Sequence, residues 1–137
     1  MRGLAHLVMA AMLAGCAATH FAETPPDGAT RDRRDAGALQ AVRDLGRDGD
    51  WLVIRGYHLS DNLVASLTNK PFSHAAVLDT ANDRVIEAEA AGVHFTPLAE
   101  FVANSHRLLL IRPVWSDAAS AAAALKKARE EIGRAHV

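Results

Sequence analysis

Residues 73–90, SHAAVLDTANDRVIEAEA, contain two strand-forming runs, Ser73 to Asp79 and Arg84 to Ala90, joined by the polar four residues TAND. An antiparallel hairpin is the simplest connection for such a pair. The segments around it have to be arranged on that frame. Leu39, Val42 and Leu45 recur at helical spacing from about Ala38 until GRDGD breaks the pattern with its glycines. WLVIR, Trp51 to Arg55, is rich in β-formers and predicts a strand. In SDNLVASLTN, Ser60 is a candidate N-cap and Asp61 falls in the first turn. Leu63, Val64 and Leu67 lie on one side, and Asn69 and Pro71 close what reads as a one-sided helix over a core.

Beyond the hairpin, Gly92 allows a bend into VHFT, and Thr96 followed by Pro97 predicts a capped helix whose Leu98, Phe101 and Val102 pack inward. RLLLIRPV, Arg107 to Val114, is the most apolar strand candidate and is expected near the sheet's centre. An alanine-rich helix capped by Ser116 or Asp117 comes last. This order predicts an α+β domain with a mostly antiparallel sheet and flanking helices.

With 137 residues, half of them apolar, and a formal charge of −1, the chain has room for one globular domain. Lys and Arg are scattered, which gives no footprint for a polyanion and excludes nucleic acid as an expected partner. There is no internal repeat, no Walker-type glycine loop and no CxxC.

The first fifteen residues, MRGLAHLVMAAMLAG, have an early arginine, an apolar run and then small residues, as an export signal does. The run from Leu4 to Ala14 is far short of the roughly 20 residues that a membrane span needs. LAGC, ending at Cys16, resembles the lipobox of bacterial lipoproteins, in which the cysteine is lipidated and becomes the first mature residue. Ordinary secretory cleavage a residue or two later is the alternative. Lipidation at Cys16 implies a membrane anchor, and Ala17 in place of an aspartate implies the periplasmic face of an outer membrane in a diderm bacterium. Residues 16–37, with two prolines, a charge cluster and almost no apolar periodicity, read as a tether in which RDRRD is a solvated charge run.

Of seven histidines, four fall within the apparent domain: His58, His74, His94 and His106. His74 opens an apolar strand directly after PFS, where its ring can face a cleft. On the partner strand, Glu87 and Glu89 share a face by the two-residue period. A carboxylate beside an imidazole fixes its tautomer and stabilises the imidazolium, as a general base requires. Glu87 follows Val85 and Ile86 and sits deeper than Glu89, so Glu87 is the preferred partner. A core histidine with two exposed glutamates is the other reading of these residues. A zinc site from His58, His74 and His94 with a glutamate has no HxxxH or HxH spacing behind it, and no metal or cofactor is expected.

The succession GDWLVIRG, LVASLTNKPFSHAAVLD, RVIEAEAAGVHFTPLAEF and LLLIRPVW resembles the permuted NlpC-type cysteine hydrolases, the YiiX/YebB-like group of papain-fold proteins related to lecithin retinol acyltransferase. The resemblance runs from about Gly49 to Trp115. Its marks are GD before the first strand, SH opening the next and EA before TPL. It implies a papain-like fold, His74 as general base, Glu87 as orienting partner, and a cleft shaped by the Gly49–Asp50 turn and nearby loops. Peptidoglycan peptides or acyl lipids are the implied substrates. The implied nucleophile is a cysteine at the start of a later helix, where a helix N-terminus lowers a thiol's pKa. Cys16, acylated and beyond a tether, does not substitute, and Ser73 is expected to point away from its strand neighbour His74.

The chain closes with EIGRAHV, and GAG ATC GGA AGA GCA CAC GTC encodes this heptapeptide while matching, from its second base, the start of a widely used sequencing adapter. The expected division is therefore a signal at 1–15, a lipidated tether at 16–37, the N-terminal part of a hydrolase domain at 38–131, and adapter-derived residues at 132–137. A natural short paralogue is the rival, with a non-catalytic envelope-binding lipoprotein as the corresponding function.

Overall fold

The computed structural model describes residues 26–114 and 117–134. The export signal, Cys16, Ser116 and the last three residues of the chain lie outside the described residues. In chain order the elements are α1 (Gly28–Leu45), β1 (Trp51–Gly56), α2 (Leu59–Thr68), β2 (His74–Asp79), a 3-10 turn (Thr80–Asn82), β3 (Arg84–Glu89), β4 (Gly92–Pro97), α3 (Leu98–Ala103), β5 (Ser105–Ile111) and α4 (Ala118–Glu130). The strands form one antiparallel sheet in the order β4-β3-β2-β1-β5, so the protein is α+β with flanking helices.

The hairpin at residues 74–89 forms in the register Ala76 opposite Glu87 and Asp79 opposite Arg84. Its even-numbered β1 and β2 positions, Leu52, Ile54, Ala76 and Leu78, face one side with Val85 of β3. There they pack against Val42 of α1 and against Leu98, Phe101 and Val102 of α3, which forms the core. The three α3 side chains point inward as their spacing predicts. Among the described residues, no helix is long and apolar enough to cross a membrane.

Four local expectations are corrected. Residues 28–37, read as tether, are the first part of α1, which starts ten residues before Ala38 with Asp27 accepting a hydrogen bond from the Thr30 N–H at 3.0 Å. Its arginines hold it to the domain. Arg31 donates to the Ala103 carbonyl at 2.6 Å, and Arg34 donates to the Tyr57 hydroxyl at 2.6 Å and to the Ser105 carbonyl at 3.0 Å. Polar anchoring needs no apolar stripe, which is why periodicity does not reveal this half of the helix.

The second correction inverts α2. Its buried residues are Asn62 and Ala65, while Leu63 and Leu67 are 53% and 77% exposed and Val64 also faces outward. Buried Arg55 of β1 donates to the Asn62 Oδ1 at 2.7 Å, and that bond turns the polar residue inward. The helix also starts at Leu59, before Ser60: the His58 N–H donates to Asp61 Oδ2 at 3.0 Å, and Asn69 closes the other end in the left-handed region at φ 52°.

Third, β5 is an edge strand and β2 occupies the middle of the sheet. The apolar run in β5 alternates, with Leu108 and Leu110 packed against the core and Leu109 and Ile111 exposed. A continuous apolar run suits a strand covered on both faces, but here only one face is covered at β5. Fourth, Thr96 lies within β4, which ends at Pro97, and does not cap α3; its hydroxyl is used elsewhere, as described below.

α4 is capped by Asp117, which accepts from the Ser120 N–H at 2.7 Å. It packs closely over Gly49, whose φ of 82° is in the region that favours glycine, with the Ala121 backbone 3.0 Å from where a Cβ would stand. Arg129 of α4 reaches Asp79 at 2.8 Å. After α4, the Gly133 N–H donates to the Val93 carbonyl at 2.9 Å, so residues expected to be adapter-derived lie along β4.

Candidate active site

His74 is the first residue of β2 and lies opposite Ile54 of β1. The residue before it fixes where the strand begins. The Ser73 N–H donates to the Ile54 carbonyl at 2.9 Å, and its hydroxyl donates to Asp61 Oδ1 at 2.6 Å while accepting from the Gly56 N–H at 3.2 Å. Ser73 therefore precedes the strand and lines the same cleft as His74, with its hydroxyl committed to Asp61. The His74 ring rests at a tilt of 47° against Phe101, 6.1 Å between centroids.

Glu87 stands opposite Ala76 on β2 and His94 on β4, which makes it the diagonal neighbour of His74 on that face. His74 Nε2 and Glu87 Oε2 are 2.6 Å apart. The second carboxylate oxygen accepts the Thr96 hydroxyl. His94 Nε2 is 3.6 Å from Glu87 Oε1 and 3.9 Å from Glu89 Oε2. Glu87 is the buried glutamate, its side chain 6% exposed against 57% for Glu89, as their depth along β3 suggests.

The hydrogen bond with Glu87 raises the His74 pKa above the ordinary imidazole value and outweighs burial, which acts the other way. The charges of Glu87, Glu89 and Asp61 push in the same upward direction. For Glu87, burial pushes the carboxyl up, but the bonds from His74 and Thr96 and the nearby imidazoles prevail and hold it below its usual range. An ionised carboxylate only accepts, so His74 Nε2 carries the proton and Nδ1 is the nitrogen able to act as a base.

These groups line a cleft of about 570 Å³ between the ends of β2 and β3, α2 and α3. The structure thus brings His74 and Glu87 together, with Glu89 and His94 at the rim. His58 lines the cleft but stays outside the cluster, and His106 is elsewhere, edge-on to Tyr57 at 5.8 Å. The Gly49–Asp50 turn does not shape the cleft. It lies at the opposite end of β1, where Arg112 holds the Asp50 carboxylate at 3.0 and 2.6 Å. The chain's single cysteine, Cys16, lies outside the described residues.

Sequence reasoning read Thr96 only as a helix cap, named His94 only in a zinc site without supporting spacing, and gave Asp61 no role at the site. For the first two a signal existed. Only Ala90 and Ala91 separate Glu89 from its partner Gly92, and a two-residue turn puts His94 opposite Glu87 and Thr96 two further along the same face. No family model matches this chain, and no curated protein or solved structure matches it.

Proposed function

We propose that this chain carries the histidine and carboxylate portion of a lipid-anchored, extracytoplasmic cysteine hydrolase of the bacterial envelope, papain-like in the permuted NlpC manner. The observation that carries the reading is the 2.6 Å contact between His74 Nε2 and Glu87 Oε2 in an accessible cleft. Glu87 holds the Nε2 proton, leaving Nδ1 to accept one from a thiol. The nucleophile would come from a cysteine encoded beyond Glu131. Its thiolate attacks an amide or ester carbonyl, the amine or alcohol leaves with the proton from His74, and water then releases the acyl group from sulfur. Peptidoglycan peptides and acyl lipids are the substrate classes, and an acylated Cys16 would hold the domain at the membrane where both occur.

A long read across the genomic locus, followed by expression of the complete chain, tests this. A downstream cysteine at a helix start should label with an electrophilic thiol probe in a manner that His74→Ala suppresses. A gene that ends at Val137, or labelling indifferent to His74, would remove the hydrolase reading and leave the cleft as a ligand groove.

A further inference from the structure

We infer that the mouth of the cleft is a site for a divalent transition ion of the zinc class, built by His74, Glu87, Glu89 and His94. Ligand atoms of His74, Glu87 and Glu89 lie within 4.8 Å of one another. His94 Nε2 lies beside that group of three, at 3.6 Å from Glu87 Oε1 and 3.9 Å from Glu89 Oε2. Two ligands each about 2.1 Å from a tetrahedral zinc are roughly 3.4 Å apart, so the separations of 3.6 and 3.9 Å from His94 to the two carboxylates are close to those that an ion between them needs. The His74–Glu87 pair, at 2.6 Å, has to open by about 0.8 Å to reach that spacing, and His94 has to draw in toward the group of three.

The supporting groups are also in place. His94 Nδ1 lies 3.3 Å from the Gly92 carbonyl, which can only accept, so Nδ1 donates and Nε2 is the nitrogen that would bind the ion. Thr96 holds the second oxygen of Glu87 from behind. Two imidazoles with two carboxylates suit a borderline ion better than a hard one such as Mg²⁺ or Ca²⁺. On binding, Nε2 of His74 exchanges its proton for the metal, an imidazolium releasing it to solvent and a neutral ring shifting it to Nδ1, and the hydrogen bond to Glu87 is replaced by two metal bonds.

The regulatory consequence rests on the hydrolase reading: an ion on Nε2 leaves the ring's proton on Nδ1, the nitrogen that would accept the thiol's proton, so zinc inhibits turnover and a chelator restores it. Binding itself is independent of that reading, and the experiment separates them. Zn²⁺ is titrated into the chain, with Cys16→Ser to remove the lone thiol, against a chromophoric chelator; Co²⁺ is then added as a spectroscopic substitute. One ion per chain and the visible bands of four-coordinate Co²⁺ are expected. Glu89→Gln and His94→Ala, at the rim of the cleft and outside the buried core, should each weaken Zn²⁺ binding by about tenfold or more, and His58→Ala should not. A smaller loss in either of the two, or an equal loss in His58→Ala, overturns the site whatever the fate of the hydrolase reading.

Discussion

His74 donates to Glu87 across the β2–β3 hairpin, and the carboxylate is the more deeply buried partner, 6% exposed against 21% for the imidazole. Glu87 therefore cannot be resolvated without moving the strands, and His74 carries the adjustable end of the pair. In metal-free protein His74 should titrate above its ordinary value of about 6.5, and Glu87→Gln should bring it down. Because the folded pKa is raised, the pair's contribution to stability is complete below the unfolded value and is lost as pH rises through the folded one. Imidazole proton shifts followed by NMR across pH 5 to 9 check this; an identical midpoint in both proteins would exclude the pairing.

Asp79 should make the protein acid-sensitive. Its carboxylate is fully buried and accepts from Asn82 at 2.9 Å, Arg84 at 2.9 Å and Arg129 at 2.8 Å. Burial alone would raise its pKa, but these three donors outweigh it and hold the carboxyl below the usual range. A lowered folded pKa means that the stabilisation is present above the unfolded value, near 4, and fades as pH falls below it. Asp79→Asn should cost about 2 kcal/mol at pH 7, and the gap from the parent should narrow by about pH 3. Urea unfolding at the two pH values measures it, and a gap that stays constant would refute the linkage.

Gly56 tolerates no side chain because a Cβ there would run into the Asp61 carboxylate, which holds Ser73 immediately before His74. Gly56→Ala should destabilise by about 1 to 3 kcal/mol. Removing the obstructing carboxylate should recover part of that cost, so the double variant with Asp61→Ala should be more stable than additivity allows. Purely additive thermal shifts would show that the crowding is relieved some other way.

Starting the chain at Ala38 in place of Pro26 removes the cap at Asp27 and the Arg31 and Arg34 bonds to Ala103, Tyr57 and Ser105. The shorter chain should lose roughly 2 kcal/mol or more, seen as a lower melting temperature by circular dichroism. Equal melting temperatures would mean that residues 26–37 act only as a tether.

Positions governed by apolar pattern or turn chemistry were readable in the chain: the TAND hairpin, β1, the inward face of α3, the helix end at Asn69 and, as one of two candidates, the cap at Asp117. Strand periodicity and depth favoured Glu87 as the partner of His74 but left exposed glutamates as the other reading. The misread positions are those where a polar partner distant in sequence decides the outcome. Arg55 turns α2 over through Asn62, Arg34 extends α1 through Tyr57, and Glu87 draws the Thr96 hydroxyl away from a cap. Such bonds carry no local period, so they become visible only once the strands are in register.

The inverted α2 has a practical corollary. Because Asn62 and Ala65 secure the helix, Leu59, Leu63 and Leu67 are left turned to solvent. Their replacement by glutamate or lysine should be invisible to the fold yet decisive for how concentrated a sample stays clear, whereas the modest Ala65→Leu should dislodge the helix and, through Asp61 and Ser73, the start of the strand that bears His74.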